Sequence, residues 1–465
     1  MSDKGLMERV VALCKRRGFV YQTSSIYGGL ANSYDYGPLG VEILMNLRNI
    51  WWREFVHKRE EIVGLDSQII LHPRVWDASG HTAEFFDPLV EDKKTHKRYR
   101  ADHLIERWLE ENSEKYGLKD INTEDMSLEE MSDFIRKYKI KSPEGNEITE
   151  PMRFNLLFES FLGAVEGKKS RVYLRGETAQ GIFTNFKNII NSTRVKLPFG
   201  IAQIGKVFRN EITTGQFVFR TIEFEQAEIE YFFNPQKTDW KDLFKYWQEE
   251  VFKFMRDHLG LSEKNLRWRR HSDKERSHYS QETYDLDYNF SFGFKEIFGI
   301  AYRTDYDLRR HSEFSGERLE YVDEESGERF IPHIIEPSFG LNRLFLALIF
   351  EGYREEDGRI FLKLEPQLAP YKLAVFPLLA NKPDLVRLAR KIFDDLKDAF
   401  HTYWDERGNI GKRYRYQDEI GTPFCITVDF QSLEDDTITI RHRDDMSQIR
   451  ISVGRIKNFL KENLQ

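Results

Sequence analysis

At 465 residues, with 40% hydrophobic and 32% charged side chains, the chain exceeds the length at which one core stops growing, about 250–300 residues, so two or three domains are expected. The net charge of −7 gives no overall attraction to nucleic acid or anionic membrane, so any such partner must meet a local basic patch. No apolar run nears the roughly 18 residues of a membrane span. The opening MSDKGLMERVVALCKRRGF carries Asp3 and Glu8 without a signal-peptide core, and Cys14 and Cys425 form no CxxC pair; a reduced, cytoplasmic protein without membrane or structural zinc is expected.

In residues 41–57, VEILMNLRNIWWREFVH, Val41, Leu44, Leu47, Trp51 and Phe55 recur at helical spacing after Pro38, which predicts an amphipathic helix. EIVGLDSQIILHP then predicts a strand that stops at Pro73. Residues 107–150 are charge-dense with short helical patches and interrupt segments of denser apolar pattern, as an inserted subdomain of about 86–160 would. RVYLRGE, FGIAQIGKVFRNE, QFVFRTIEFEQAEIEYFF and GIAYRTDYDL read as strands joined by short turns, and without a repeating βαβ period they predict an antiparallel sheet. After Pro366 and Pro370, YKLAVFPLL predicts a buried strand. DLVRLARKIFDDLKDAF sets Leu385, Leu388, Ile392, Phe393, Leu396 and Phe400 on one helical face. PFCITVDF and TITIRHR read as strands and IRISVGRIKNFLKEN as a last helix. The expected class is α+β: a block over 1–366 built on an antiparallel sheet, and an α/β block over 367–465.

The segment FRNEITTGQFVFRTIEFEQAE, residues 208–228, concentrates charge: Arg209, Glu211, Arg220, Glu223, Glu225 and Glu228 fall on a strand pair around a turn at Thr213, Thr214 and Gly215. Such a surface suits a site that holds an anion beside an ammonium. No GxxxxGK[ST] occurs, GNIGKRY at 408–414 is too short, and no GxGxxG follows a strand. A bound nucleotide would therefore need its phosphates held by arginine, whose planar fork and permanent charge suit the task. His271 and His278 lack ligand-type partners at metal spacing, and with Arg267, Arg269 and Arg270 they predict a solvated loop. GKRYRYQDE at 411–419 interleaves Lys412, Arg413 and Arg415 with Tyr414 and Tyr416, a pattern that takes phosphates and stacks on unpaired bases.

Three segments, in order, resemble the signature motifs of class II aminoacyl-tRNA synthetases: the helix and strand at 41–73, FRNE at 208–211 with RTIEF at 220–224, and GLNRLFLALI at 340–349. No HIGH or KMSKS sequence of class I is present. Within class II the chain resembles the dimeric type of glycyl-tRNA synthetase, through YGPLG at 36–40, RADHLIE at 100–106, RGETAQGIFTNF at 175–186, the EFEQAEIEYF run, EPSFGLNR at 336–343 and GKRYRYQDEIGTPFCITVD at 411–429. Two departures stand out: Gly176 where proline is expected, and Phe298 where an acid is common.

The resemblance implies that glycine and ATP form glycyl-adenylate, and that the glycyl group then passes to tRNA(Gly). It implies an ATP site of Arg209, Asn210, Glu211, Phe219, Arg220, Thr221, Ile222, Glu223, Phe224, Glu296, Ile297, Gly340, Leu341, Asn342 and Arg343. Catalysis is assigned to Arg209, Glu211, Arg220 and Arg343, and Mg²⁺ to Glu296. It places glycine among Arg100, Glu177, Phe224, Glu225, Gln226, Ala227, Glu228, Arg303, Glu336, Pro337, Ser338, Phe339 and Gly340. It further implies an anticodon-binding C-terminal block, and a homodimer formed through the apolar face bearing Trp51 and Phe55. A non-catalytic relative, such as the accessory subunit of the mitochondrial DNA polymerase, need not keep Arg209, Glu211, Glu296 and Arg343, and all four are present. A synthetase for threonine, proline or histidine would share the C-terminal block but not the acid-rich motifs.

Overall fold

The computed structural model describes residues 5–118, 121–123, 126–163, 170–212, 216–273, 276–324 and 326–464. The expected turn at 213–215 lies outside them. Seven strands form the central sheet: β1 (Ile62–Gly64), β2 (Phe199–Phe208), β3 (Glu223–Phe233), β4 (Leu266–Arg270), β5 (Glu282–Phe290), β6 (Gly293–Thr304) and β7 (His333–Gly340). They lie in the order β4-β5-β6-β7-β3-β2-β1, antiparallel throughout except for β1, which runs parallel to β2.

Strand side chains alternate between faces, so each long strand serves two environments. On β3, Ala227, Ile229 and Tyr231 enter the larger core, beside residues of helices Pro38–Trp52, Trp240–Asp257 and Leu341–Gly352. Phe232 enters a second core formed with helix Ala179–Ser192 and Leu308. The last of the three large-core helices is apolar around nearly its whole circumference, and Leu341, Leu344, Phe345 and Leu348 are all buried.

The predicted helix over 41–57 is an α-helix over Pro38–Trp52 that continues as a π-helical turn, Arg53–His57, with Pro38 at its first turn. Leu44, Leu47, Trp51 and Phe55 are buried, whereas Val41 is 40% exposed. Trp51 and Phe55 pack edge-on and tilted against Phe339 of the same chain, at 5.7 and 5.3 Å between ring centroids. They are therefore core residues and supply no dimer surface. The segment expected as one strand to Pro73 is a strand only over Ile62–Gly64. Pro73 opens the helix Pro73–Ala78, where its missing N–H costs nothing.

Between them and β2 lies a small unit with its own core, Val90, Leu104, Ile105, Met131 and Ile135. It pairs strands Arg98–Arg100, Phe86–Glu91 and Met152–Asn155 with helices Ala101–Tyr116 and Leu128–Tyr138. The C-terminal block holds a five-stranded sheet ordered Thr402–Trp404, Leu373–Pro377, Phe424–Val428, Thr437–His442, Gln448–Ser452. The first three strands are parallel and the last two antiparallel. Helix Pro383–Lys397 buries Leu385, Ile392 and Leu396, and ends before Phe400. The stretch expected as a last helix divides into the strand Gln448–Ser452 and the helix Ile456–Asn463, because Ile449 and Ile451 alternate as an edge strand does.

The block is clasped to the rest of the chain by ionic contacts. Asp418 accepts from Arg441 at 2.7 Å and from Arg359 at 2.8 Å. Arg443 donates to the carbonyls of Gly421 and Leu364, and Glu419 accepts from Arg16 and Arg17 at 2.9 and 2.6 Å. Among the described residues no helix is long and apolar enough to cross a membrane.

Candidate active site

The β2–β3 hairpin sets Arg209 just past the end of β2, where its Nε donates to the Gly176 carbonyl at 3.2 Å. The guanidinium lies over the rings of Phe85 and Phe224, at 5.2 and 5.3 Å. Neither ring supplies a full counter-charge, so the arginine is presented and oriented rather than neutralised. Gly176 keeps the carbonyl that this contact uses. A Cβ there would come within 3.1 Å of Phe85 and 3.2 Å of Leu157, so only a small displacement would admit a larger residue.

Arg220 approaches Glu211 at 3.3 Å. Burial, joined by the charges of Arg100 and Arg343, holds the Arg220 guanidinium below its ordinary value against the pull of Glu211. Burial is the larger cause, and Glu211 and Asp87 oppose it. Arg343 lies over Phe219 at 4.6 Å and donates to Glu296 Oε2 at 2.8 Å. Arg220, Phe219, Arg343 and Glu296 border a cavity of about 530 Å³ whose walls also bear Arg100, Arg267, Arg269 and Lys295, with Glu106 and Asp287 among them.

Arg100 therefore sits on the phosphate-like side and not among the glutamates. It reaches this place on strand Arg98–Arg100 of the inserted unit, ion-paired with Asp87 at 2.9 Å and with Asp102. Burial pushes the Asp87 carboxyl up to about 6 against the pull of Arg100. Arg267 and Arg269, expected in a solvated loop, lie on β4 and pair with Asp287 and Asp285 of β5, at 2.8 and 2.5 Å; Arg270 pairs with Glu282. His271 contacts Asp285 at 2.8 Å and His278 contacts the Ser79 carbonyl at 2.9 Å.

A smaller cavity, about 80 Å³, joins these arginines to the acids. Arg209, Arg220 and Arg343 line it together with Glu211, Glu296, Gln226 and Ser338. Beyond Ser338 the acids are buried. Glu228 accepts from the Ser338 hydroxyl at 2.7 Å and from the Thr178 backbone N–H at 2.9 Å, and the Thr178 hydroxyl also donates to it. Arg303, 0% exposed, donates to Glu336 at 2.7 Å and to both oxygens of Asp307, and approaches Glu177 at 3.4 Å. Tyr279 lies 3.7 Å from the Arg303 guanidinium. Against the cost of burial, Asp307, Glu336 and Glu177 hold the Arg303 guanidinium well above its ordinary value.

Several expected ligands face elsewhere because the strands alternate. Glu225 pairs with Arg48 of helix Pro38–Trp52 at 2.6 Å, on the opposite face from Glu228. Ala227, Ile297, Phe339 and Leu341 lie in the larger core. Pro337, between Glu336 and Ser338 on β7, faces away with Phe339. Glu223 is exposed and pairs with Lys206 at 3.0 Å. Ile222 contributes a backbone N–H to Asn32 O, and the Thr221 hydroxyl donates to Glu223 O. Asn342 lines the small cavity and also bridges: its Oδ1 accepts from the Glu225 N–H at 2.8 Å and its Nδ2 donates to the Tyr36 hydroxyl at 2.6 Å. Gly340 borders the small cavity in ordinary extended backbone, with only Arg343 side-chain atoms near a Cβ position. Phe298 packs on Phe339 at 4.7 Å in the larger core, so its replacement of an acid removes no carboxylate from the site side.

Glu296 and Asp285 turn carboxylate oxygens toward one another's neighbourhood. A Cβ added at Gly299 would lie 3.8 Å from Glu296 Oε1 and 3.6 Å from Asp285 Oδ1, so the glycine leaves open a notch faced by two carboxylates. Burial first and the Glu296 charge second push the Asp285 carboxyl up, while against burial Arg343 holds that of Glu296 down. Oxygen donors that repel each other suit a hard cation. Sequence reading missed Asp285. It also missed Asp307, Thr178 and Glu230, although strict alternation in EFEQAEIEYF already sets Gln226, Glu228 and Glu230 on one face.

In the C-terminal block, 411–419 lies in helix Ile410–Ile420. Lys412 and Arg415 are exposed. Arg413 is 2% exposed and donates to the Pro377 and Gly408 carbonyls, so it is a structural tie and not a nucleic-acid contact. Tyr414 bonds Thr427, and Tyr416 stacks on Tyr403 beneath Arg17, so neither ring is free for a base.

Comparison with known proteins agrees with this division. Residues 163–353 match the tRNA synthetase class II core domain (G, H, P, S and T), and residues 372–463 match the anticodon binding domain. The glycine–tRNA ligase of Caldanaerobacter subterraneus subsp. tengcongensis is 49% identical over 472 residues, covering 100% of both chains. That of Geobacillus kaustophilus is 49% identical, covering 98% of this chain and 99% of its own, and that of Clostridium acetobutylicum is 47% identical over 100% of both.

Proposed function

The chain belongs to the glycine–tRNA ligase family of class II synthetases, and on that premise we propose how its residues divide the work of joining glycine to tRNA(Gly). The observation that carries the reading is the small cavity bordered at once by Arg209, Arg220 and Arg343 and by Ser338, the hydroxyl that contacts Glu228. It supports reading an anion seat and an ammonium seat as parts of one site.

In the first step a glycine carboxylate oxygen attacks the α-phosphorus of ATP, the bond to the β-phosphate bridging oxygen breaks, and pyrophosphate leaves. Charge concentrates on the α-phosphoryl oxygens, so fixed cations lower the barrier by electrostatic stabilisation. Arg209 serves the α-phosphate, and Arg220 and Arg343 serve the outer phosphates. Phe224, which shares the Arg209 contact, stacks on the adenine, and Arg343 covers its other side. Glu211 restrains Arg220 and faces the base. Glu296 and Asp285 would hold Mg²⁺, which when bound neutralises phosphate charge. In the second step a hydroxyl of the tRNA's terminal ribose attacks the glycyl carbonyl and AMP departs.

Glycine has no side chain to grip, so its ammonium and carboxylate carry recognition. Glu228 offers the ammonium a buried carboxylate already oriented by Ser338 and Thr178. Glu177 and Glu336, braced by Arg303, complete the cage. One methylene is worth only about 1–3 kcal/mol of discrimination, so alanine is excluded by the rigidity of this wall more than by attraction.

The catalytic block spans 1–366 with an inserted unit over about 86–160, and 367–465 reads the tRNA. Support for the insertion is its separate core. Exposed Lys412 and Arg415 are the phosphate contacts of helix Ile410–Ile420. The protein works as a homodimer, supported by large exposed apolar side chains: Ile26 and Tyr27 are each 87% exposed, and Val41 and Met45 of helix Pro38–Trp52 are exposed too. A cytoplasmic site follows from the activity and suits two buried, unpaired thiols.

Replacing Arg209 by Gln is expected to leave the fold intact and lower glycine-dependent pyrophosphate exchange by about 10²–10³; near-normal exchange refutes the assignment. Glu228→Gln is expected to raise the glycine KM about tenfold or more, the worth of one charge-assisted contact. Ser338→Ala weakens glycine use without admitting alanine. An unchanged KM in Glu228→Gln removes the ammonium cage.

Lys412→Ala with Arg415→Ala is expected to weaken tRNA binding and lower the salt slope by roughly one per lost contact, with adenylate formation unchanged. Equal loss of both activities makes the helix structural. Sedimentation at micromolar concentration is expected to give a dimer that Tyr27→Asp weakens; a wild-type monomer refutes the assembly.

A further inference from the structure

Glu230 lies on β3 two residues beyond Glu228 and is 0% exposed, and neither of its carboxyl oxygens has a hydrogen-bond partner. A buried, ionised carboxylate without a donor is among the costliest groups a fold can hold. The β3–β7 register, with Glu228 opposite Ser338 and Tyr231 opposite Ile335, sets Glu230 opposite Glu336. Carboxyl oxygens of Glu228, Glu230 and Glu336 all lie within 4.8 Å of one another. Directly opposed like charges destabilise a strand pair.

Burial pushes the carboxyls of both Glu230 and Glu336 well above the ordinary value, and it is the donors around them that separate the two. Glu336 takes a donor from Arg303, and Glu228 takes donors from Ser338 and Thr178. Asp307 and Glu177 compete for the same arginine, and across β2 the neighbour of Glu230 is Ile201, which offers nothing. Arg303, the cation nearest this group, is thus divided among three other carboxylates.

We propose that Glu230 is a positioning residue, a carboxylic acid that keeps its proton and shares it with Glu336, so that the opposed pair carries one negative charge and Glu336 stays fixed toward the ammonium seat. Burial first, then the charge of Glu336, pushes the Glu230 carboxyl well above its ordinary value, with Arg303 opposing. The inference rests on the ammonium-cage reading of Glu228 and Glu336, and extends it to an acid outside the cage wall.

Unfolded, Glu230 ionises near its ordinary value; folded, it stays neutral. Above that value unfolding releases a proton, so wild-type stability falls as pH rises toward the folded value and is full only below the unfolded one. Glu230→Gln, neutral in both states, escapes this loss. Calorimetry of the full chain from pH 5.5 to 8.5 is expected to show the variant's Tm gaining on wild type by about 1–2 °C per pH unit. Its glycine KM stays within threefold in pyrophosphate exchange, while Glu230→Ala, which can give Glu336 no donor, raises KM at least tenfold.

A pH-independent Tm difference overturns the inference, as does a Glu230→Gln protein that fails to fold or whose KM rises as far as that of Glu228→Gln. A Glu228→Gln protein with unchanged KM removes the cage reading instead, and the Tm profile still decides where the proton resides.

Discussion

A guanidinium with no exposed surface is the constraint around which this site is organised. Taking Arg303 out of water costs several kcal/mol unless carboxylates replace the lost hydration. Glu336, Asp307 and Glu177 do so, each from a different segment: β7, helix Tyr306–Ser315 and the turn before helix Ala179–Ser192. The arginine cannot be satisfied unless all three come together, so the same interaction closes the second core and fixes the acids. Gln180 extends the set by donating to both Glu177 and Asp307. The acids are thereby oriented before any ligand arrives, which is what a site needs if recognition is to depend on position more than on contact area.

Strand β3 divides the labour of the sheet by parity alone. Odd-numbered Ala227, Ile229 and Tyr231 anchor it to the larger core, and Glu225 reaches Arg48 on that side. Even-numbered Gln226, Glu228 and Glu230 face the site. A one-residue slip would exchange the two sets and place hydrocarbon in the cavity and acids in the core. The long pairing with β2 and β7 on either side opposes such a slip.

Much of this was legible in sequence where a signal is local. The antiparallel sheet, the helix after Pro38 and the concentration of charge in 208–228 follow from periodicity and composition. What was not legible depends on direction. A contiguous motif such as EFEQAE reads as six ligands, but alternation turns Glu225 and Ala227 away. Arg413 reads as basic and exposed until the helix places it against carbonyls of its own chain. Pro73 reads as the stop of a strand, and the structure makes it instead the first residue of a helix. Arg100 and Asp87 come to the arginine-lined cavity from the inserted unit, and Asp285 joins Glu296 across a strand pair; no spacing in the chain announces such meetings.

Helix Ile410–Ile420 has one wall toward solvent, with Lys412 and Arg415, and another locked to the body of the protein. Asp418 grips Arg359, and Glu419 grips Arg16 and Arg17 near the N-terminus. Arg16 and Arg17 lie far from the C-terminal block in sequence, and Arg359 lies just before it. The exposed side of the helix is thus held at a set place relative to the rest of the chain. Any one partner that touched both this helix and the arginine-lined cavity would have to match the distance that the clasp sets between them, as a workpiece must match a calliper.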